Sequence, residues 1–594
     1  MGRAKTIARR TFLVGSVAIA GGVAFGVYQV RKTPANPLKP GVDAATLNPF
    51  VLINQDGVTI IAPRAEMGQG VQTTLVALVA EELDVAWQDI TVLHGPPAQA
   101  YYNGALISAA LPYPDYDLTG FQRGLADNMA VMGKILGLQV TGGSTSMRDG
   151  FEKQRRAGAS AREALKQAAA DRLGINPGDL RTENGRVIAP DGTALTYHEL
   201  AEDAALLDAP EVELRPASTW KYVGKSMPRL DMVGKVTGTA QFGIDTVAEG
   251  MVFATLRMNP RLGAGMVRFD ASAAERMAGV IKVIDLGGGI AVVARNTWLA
   301  FQAAEAVEID WQDAPYPPEN AALMEVIAAA FEQKPDSTLR DDGDVDTTVD
   351  GTEIMAEYRA PWLTHATMEP MNATAHFTGD ALEIWAGNQA PIIVQQKTAK
   401  ICGLDQDKVT VHTPFMGGGF GRRGESDFAT YAAQIAKEMP GTPVKVTWTR
   451  EEDMRHDFYR PAAMARFRGV VKDGEALALE GRIAAPSTTR QAALRISGMV
   501  PPGKDKGLVE GAFDQPYGIP SFRISGHIAD LSVPIGYWRS VGYSYNGFFI
   551  DSFIDEMAHA AGRDPLEFRL QLIAREHGPS AGCLRAVAEM CEWT

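Results

Sequence analysis

Cysteine is nearly absent: three in 594 residues, Cys402, Cys583 and Cys591. That is too few, and too late in the chain, for a disulfide framework or an all-cysteine iron–sulfur site, so any electron relay through such clusters needs another chain. The nine histidines include no His-Glu-x-x-His pair, which removes the common zinc-protease arrangement, and no Gly-x-Ser-x-Gly elbow of a hydrolase occurs. No basic run interleaved with aromatics appears, and a net charge of −14 argues against a nucleic-acid surface. No period of 20–50 residues repeats, which sets aside solenoids and propellers. Charged residues at 22% and apolar residues at 46% are ordinary globular values. The length allows three to five domains at ~100–200 residues each.

Acidic residues are also missing from the first 42 positions, which hold seven basic ones. With those set aside, 50 basic residues face 71 acidic ones over the remainder. Arg9-Arg10-Thr11-Phe12-Leu13 precedes an uncharged, Gly/Ala-rich stretch to Val30, the pattern of a twin-arginine export signal over residues 1–32. The twenty uncharged residues from Thr11 to Val30 match the ~20 that span a bilayer, so periplasmic export with retention as an inner-membrane anchor stays open. Residues 33–49 read as a linker.

The body is a mixture of helices and strands, an α+β, multidomain pattern. Val51–Ala62 alternates around Asp56-Gly57 as a hairpin does. Helices are expected at Thr73–Leu83, Arg155–Arg172, Ser426–Glu438 and Asn546–Ala561, with a last one capped by Asp564-Pro565. Short strands are expected at Gly238–Asp245, Met251–Arg257 and Ile290–Ala294. The acidic stretch Glu332–Asp350 reads as a loop or linker.

Three glycine loops carry the chemistry. Pro414-Phe-Met-Gly-Gly-Gly-Phe-Gly-Arg-Arg-Gly424 lies between a strand, Lys408–His412, and a helix. Glycines let backbone approach a ligand closely, a helix start offers N–H groups to an anion, and Arg422 and Arg423 add charge suited to phosphate. Gly419, Gly421 and Gly424 also satisfy G-x-G-x-x-G, with Glu451 placed as a ribose-binding acid, so an NAD- or FAD-dependent dehydrogenase is a competing reading. Against it, Pro414 and Phe415 separate strand from glycines. In Glu66-Met-Gly-Gln-Gly70, Gln69 offers a donor and an acceptor beside Gly70. Thr141-Gly-Gly-Ser-Thr-Ser-Met-Arg148 is the third loop, with Gly142, Gly143 and Ser144 at its centre. Three such loops suit a large polyanionic cofactor. Glu556 and His559 are one helical turn apart, and solvated helix surface is the preferred account of them. Tyr537, Trp538 and Tyr543 fit either a pocket for a flat substrate or core packing.

Met416–Gly421, Glu66–Gly70, Val533-Pro-Ile-Gly-Tyr-Trp-Arg-Ser-Val-Gly542, and Asp551–Ala558 followed by Gly562-Arg-Asp-Pro565 resemble motifs of the molybdenum hydroxylases, the xanthine oxidase superfamily. The early Glu-Met-Gly-Gln-Gly loop resembles the branch of isoquinoline 1-oxidoreductase large (beta) subunits and membrane-bound aldehyde dehydrogenases. Leu230–Asp245 is similar to the start of that family's hammerhead domain. The resemblance implies a molybdopterin-binding segment over 50–222, a hammerhead domain over 223–315, a linker over 316–350, and a further molybdopterin-binding domain over 351–594.

It implies a molybdopterin cytosine dinucleotide with molybdenum and no metal ligand from the protein. Gly418, Gly419, Phe420 and Gly421 match the loop at the molybdenum end, Gln69 and Gly70 match the second cofactor loop, and Gly142–Ser146 suits phosphate. Arg539 matches the arginine that contacts substrate or stabilises developing charge. His365 and Glu369, in His-x-x-Met-Glu-Pro, match a stretch beside the active site, with Trp538 nearby. The implied reaction hydroxylates aldehydes or N-heteroaromatics with water as oxygen source. The implied partners are a small [2Fe–2S] subunit and a cytochrome c acceptor. The family's catalytic glutamate sits in a Gly-Glu-Pro motif near the C-terminus, whereas this chain has only Gly424-Glu425-Ser and Gly474-Glu475-Ala. The catalytic glutamate is therefore expected beyond Thr594, and a truncated or split product, inactive alone, is expected with it. A non-catalytic exported binding protein is the remaining rival.

Overall fold

In the computed structural model, residues 33–208, 211–498, 500 and 503–593 are described. The twin-arginine reading at 1–32 lies outside them. So does Thr594, and with it the expectation of a catalytic glutamate past that residue. Among the described residues no helix is long and apolar enough to cross a membrane. The chain divides into two compact units.

The first unit takes its described residues from 1–109, 124–240 and 390–392. Its sheet runs Ala44–Asn48, Val51–Asn54, Gly57–Ala62, Ile90–His94, antiparallel except for the last pair, which is parallel. The parallel step needs a crossover, and the Val71–Leu83 helix supplies it. Ala44–Asn48, read from its neighbouring prolines as linker, is thus an edge strand. The long helix Ser146–Leu173 packs on the crossover helix through Ala157-Gly158-Ala159. A Cβ on Gly158 would lie 2.4 Å from the Val79 carbonyl oxygen, so glycine sets that close crossing. Val51, Ile53, Ile60, Val76, Val79 and Leu165 fill the core between sheet and helices. Glu81 and Glu82 are fully buried in the same helix. Glu81 accepts from the N–H groups of Lys221, Tyr222 and Val223, and Glu82 pairs with Arg155 and accepts from Arg215 N. Buried charge is tolerable only when partnered this completely.

The second unit takes its described residues from 110–123, 241–389 and 393–594. A seven-stranded mixed sheet has the order Val280–Asp285, Gly289–Ala294, Val252–Met258, Val444–Thr447, Asn372–Phe377, Leu382–Trp385, Val409–His412. The three strands drawn from 252–294 are therefore continuous with four from 372–447. A five-stranded sheet has the order Ser337–Asp342, Ser521–Ile528, Glu475–Ala485, Ala463–Lys472, Thr352–Ala360. The Glu332–Asp350 stretch, read as loop, contributes the first of these strands, because Arg340 and Arg523 neutralise its acids. Helix Tyr543–Ala560 lays Phe549, Phe553 and Met557 on this sheet, where Gly469 leaves room for Phe553 and Met557. The helix start expected at Asp564-Pro565 is found there: Asp564 accepts from Leu566 N and Glu567 N, with Pro565 in the first turn. That helix is not the last, since Gly578–Met590 follows it. The Gly238–Asp245 strand does not form; its end is a short 3-10 turn, Gly243–Asp245.

Candidate cofactor site

In the first unit, the two predicted loops meet. Thr141 Oγ1 accepts from Ala65 N at 2.8 Å, joining the 141–145 loop to the 65–70 loop. Glu66, buried at 2% exposure, accepts from the N–H groups of Gly68, Gly70 and Gln72 and faces Arg229 at 3.3 Å. Gly68 and Gly70 have positive φ (106° and 81°), which the tight return of this loop requires. Gln69 is turned back on its own loop: Oε1 accepts from Met67 N and Nε2 donates to Ala65 O. The donor and acceptor read from sequence as facing a ligand are thus used inside the loop. By contrast, the N–H groups of Gly142, Gly143 and Ser144 make no hydrogen bond among the described residues. Gly143 and Ser144 are left-handed (φ 62° and 54°), and a Cβ on Gly142 would meet nothing within 4 Å. Successive unpaired N–H groups at a helix start form a concave anion-binding backbone.

In the second unit, the glycine loop is built over a buried ion cluster. Arg423 and Glu369 pair at 2.9 Å; Arg423 is fully buried and Glu369 is 7% exposed. Arg423 also donates to the carbonyl oxygens of Gly418 and Gly387. The Glu369 carboxylate accepts from Gly417 N (2.8 Å), Ile244 N (2.9 Å), Asn372 Nδ2 (2.9 Å) and Arg423. A Cβ on Gly417 would fall 2.4 Å from the Glu369 Cβ. Arg422 makes a two-pronged pair with Asp427, both contacts at 2.8 Å, and its Nε lies 3.2 Å from Asp457. Burial alone would lower the Arg422 guanidinium, but Asp427 and Asp457 hold it above its ordinary value. Burial pulls Arg423 below its ordinary value, with Glu369 opposing. Both arginines, read from sequence as phosphate contacts, are thus committed to internal carboxylates.

His365 joins this cluster. Its Nδ1 lies 2.8 Å from Asp457 Oδ1, its backbone N–H donates to Asp457 Oδ2, and its Nε2 lies 3.0 Å from the Tyr537 carbonyl oxygen. The same carbonyl presses on Gly421, where a Cβ would stand 1.6 Å from it. Gly421 N donates to Gln389 Oε1 at 3.2 Å. Trp538 donates its indole N–H to Thr364 O. Arg539 comes next, exposed and with no hydrogen bond or ion pair among the described residues.

Four residues here hold positive φ without being glycine: Ala366 (45°), Phe420 (56°), Ser540 (71°) and Val541 (48°). For β-branched Val541 that is a true outlier, and such strain persists only where surroundings impose it. The N–H groups of Gly418, Gly419 and Phe420 have no partner among the described residues. The 418–421 backbone therefore offers three donors beside exposed Phe420, Tyr537 and Arg539. Asp457 and Gln389, central to this site, carried no motif signal; the one hint for Asp457 is its place in the polar and aromatic run Arg455–Arg460.

The dinucleotide reading is corrected by this geometry. Val409–His412 is an edge strand, the glycines lead into the short turn Arg422–Gly424, and Glu451 lies in the helix Arg450–Arg455, not at a strand end. Nothing there is the tight strand–helix turn that a pyrophosphate requires. Glu556, read as helix surface, takes the Tyr358 hydroxyl.

Residues 330–572 match the molybdopterin cofactor-binding domain. The isoquinoline 1-oxidoreductase subunit beta of Brevundimonas diminuta is 28% identical, over 99% of this chain and 78% of its own length. A membrane-bound aldehyde dehydrogenase (pyrroloquinoline-quinone) of Gluconacetobacter polyoxogenes is also 28% identical, over 96% of this chain and 72% of its own. Among solved structures, quinoline 2-oxidoreductase from Pseudomonas putida 86 overlays 59% of this chain with a TM-score of 0.47 and 18% identity. The chain spans half the length of that solved chain.

Proposed function

We propose that this chain, a relative of the molybdenum-binding oxidoreductase subunits of the xanthine oxidase family, is the molybdopterin-binding large subunit of an enzyme hydroxylating aldehydes or N-heteroaromatics with water as oxygen source. The observation that carries the reading is the pair of unpartnered backbone segments, Gly142–Ser144 and Gly418–Phe420, in the loops that resemble the family's. Donors fixed on a strained, glycine-cleared backbone fit the carbonyl, amide and phosphate oxygens of a pterin dinucleotide, and we assign the cytosine form. When bound, that cofactor supplies the two-electron redox centre.

The chain's own residues hold and orient. In the second unit Gly418, Gly419, Phe420 and Gly421 are assigned to cofactor binding, and in the first unit Gly142, Gly143 and Ser144 are assigned to phosphate. The Gln69–Gly70 loop, stiffened by Glu66, is assigned to the cofactor as well. Arg539, charged and unpaired, meets developing negative charge on the substrate, and Phe420 and Trp538 flank a flat one. Arg422, His365 and Glu369 act from beneath, holding the loops. Glu369 already carries four donors, Asp427 and Asp457 are paired, and Glu425 is bound by Arg495 at 2.6 Å. All four are held in ion pairs, so we assign the general base outside these four carboxylates.

A small [2Fe–2S] subunit, with cytochrome c beyond it, takes the electrons, since three dispersed cysteines hold no cluster here. The Arg9-Arg10 signal directs the loaded protein to the periplasm. Denaturing the purified protein and identifying what it releases tests the reading: a pterin cytosine dinucleotide supports it, and bound NAD or FAD, or no cofactor at all, contradicts it.

A further inference from the structure

His365 faces an acceptor at each ring nitrogen. Asp457 takes the His365 backbone N–H, lies 3.2 Å from the Arg422 guanidinium and sets its Oδ1 2.8 Å from Nδ1. The partner of Nε2 is the Tyr537 carbonyl, which can only accept. A ring with Nε2 bare would set its lone pair against the Tyr537 carbonyl oxygen at 3.0 Å with no solvent to intervene, the His365 side chain being 1% exposed. We infer that His365 donates its Nε2–H to the Tyr537 carbonyl, and that this bond is the clamp that positions Arg539.

Charged groups crowd around it. Arg422 and Arg423 lie among Asp427, Glu369, Asp457 and Asp453, all largely removed from water. The clamp acts at one atom. The Tyr537 carbonyl is held between His365 Nε2 and Gly421, whose missing side chain is what lets the oxygen approach. Trp538 is held to Thr364, the residue before His365. Beyond these two anchors the backbone bends through left-handed Ser540 and Val541, closed by Val541 N donating to Trp538 O at 2.7 Å. Arg539 sits on that bend with no contact of its own, so its place is set by its neighbours' backbone. Strain at Val541 is tolerated because the anchors upstream and the Tyr543–Ala560 helix downstream fix both ends. Asp457 and His365 are thus positioning residues, while Arg539 makes the contact.

The inference rests on the proposed function only for what Arg539 does; the clamp is testable in the full chain whether or not cofactor is loaded. In wild-type protein with 15N-labelled histidine at pH 7, the resonance lost in His365→Gln should show a protonated Nε2. A bare, unprotonated Nε2 overturns the inference. By hydrogen exchange, amides of 537–543 should open about tenfold faster in His365→Gln, the size of one lost hydrogen bond, with those of 549–557 unchanged. Asp457→Asn should do the same if His365→Gln fails to fold. Unchanged exchange at 537–543 in a folded variant overturns it. Absence of molybdenum from the wild type would instead fault the functional reading and leave the clamp results standing.

Discussion

Arg423 Nη2 lies 2.9 Å from Glu369 Oε2, and both side chains are shut away from water beneath the glycine loop. The pair joins Gly417 and Gly418 to the His365–Glu369 segment, since Glu369 takes Gly417 N and Arg423 gives to Gly418 O. The loop's shape is therefore set from its buried side, and the N–H groups of Gly418, Gly419 and Phe420 have no partner among the described residues.

Removing the charge of Glu369 should be costly. Glu369→Gln leaves the Arg423 cation buried without its counter-charge, and breaking a buried pair from one side costs about 3–5 kcal/mol. Calorimetry should show Tm lowered by several degrees. A shift below about one degree would mean that Arg423 finds solvent or another acceptor.

Two glycines of the same loop should differ sharply. A Cβ at Gly421 would overlap the Tyr537 carbonyl at 1.6 Å, and φ is 108° there, whereas a Cβ at Gly424 meets nothing within 4 Å. Gly421→Ala should misplace the 535–542 segment, costing about 2 kcal/mol or more and most of the bound cofactor. Gly424→Ala should sit within about 0.5 kcal/mol of wild type. Equal behaviour of the two, by Tm and cofactor content, would contradict the packing.

Glu452 gives a pH signature. Its Oε1 accepts from Met258 N, and burial pushes its carboxyl up to about 7. A carboxyl raised in the folded state costs nothing below its unfolded value near 4.5, where both states are protonated. The cost grows as pH rises to about 7 and is full above that. Glu452→Gln keeps the acceptor and should raise Tm at pH 8 but not at pH 4.5. A gain at pH 4.5 equal to that at pH 8 would dismiss the titration.

In the first unit, Glu66 holds its loop by accepting from Gly68, Gly70 and Gln72. Glu66→Ala should strand these donors, at about 1–3 kcal/mol for a buried unsatisfied group. Faster hydrogen exchange at 67–72, with the Ser146–Leu173 helix unchanged, is the expected result; uniform protection would place the loop's rigidity elsewhere.

What could be read in the chain beforehand was local. Gly70 starts the Val71–Leu83 helix and Asp564-Pro565 starts the Pro565–Ile573 helix because caps and left-handed turns depend on adjacent residues. Gly238–Asp245 looked like a strand from composition, but it ends as a turn whose Ile244 N–H serves Glu369, 125 residues away. Arg422 and Arg423 looked like anion contacts because a glycine loop shows its charges but not their partners. Glu369, which takes Arg423, is 54 residues earlier. Asp457 could not be found at all, since its meaning comes from His365, 92 residues upstream. Glycine loops reveal where backbone comes close; which charges are neutralised beneath them is decided by the fold.

If the Gly418–Gly421 backbone holds a molybdopterin cofactor, as proposed above, the metal and its nucleotide travel with the chain. The most direct measurement is molybdenum and CMP per chain in wild-type protein and Gly421→Ala, each produced with the cofactor available. The account predicts molybdenum and CMP in equal amounts, close to one each per wild-type chain, and loss of both in the variant. Wild-type protein without molybdenum, or Gly421→Ala retaining it in full, would contradict the account.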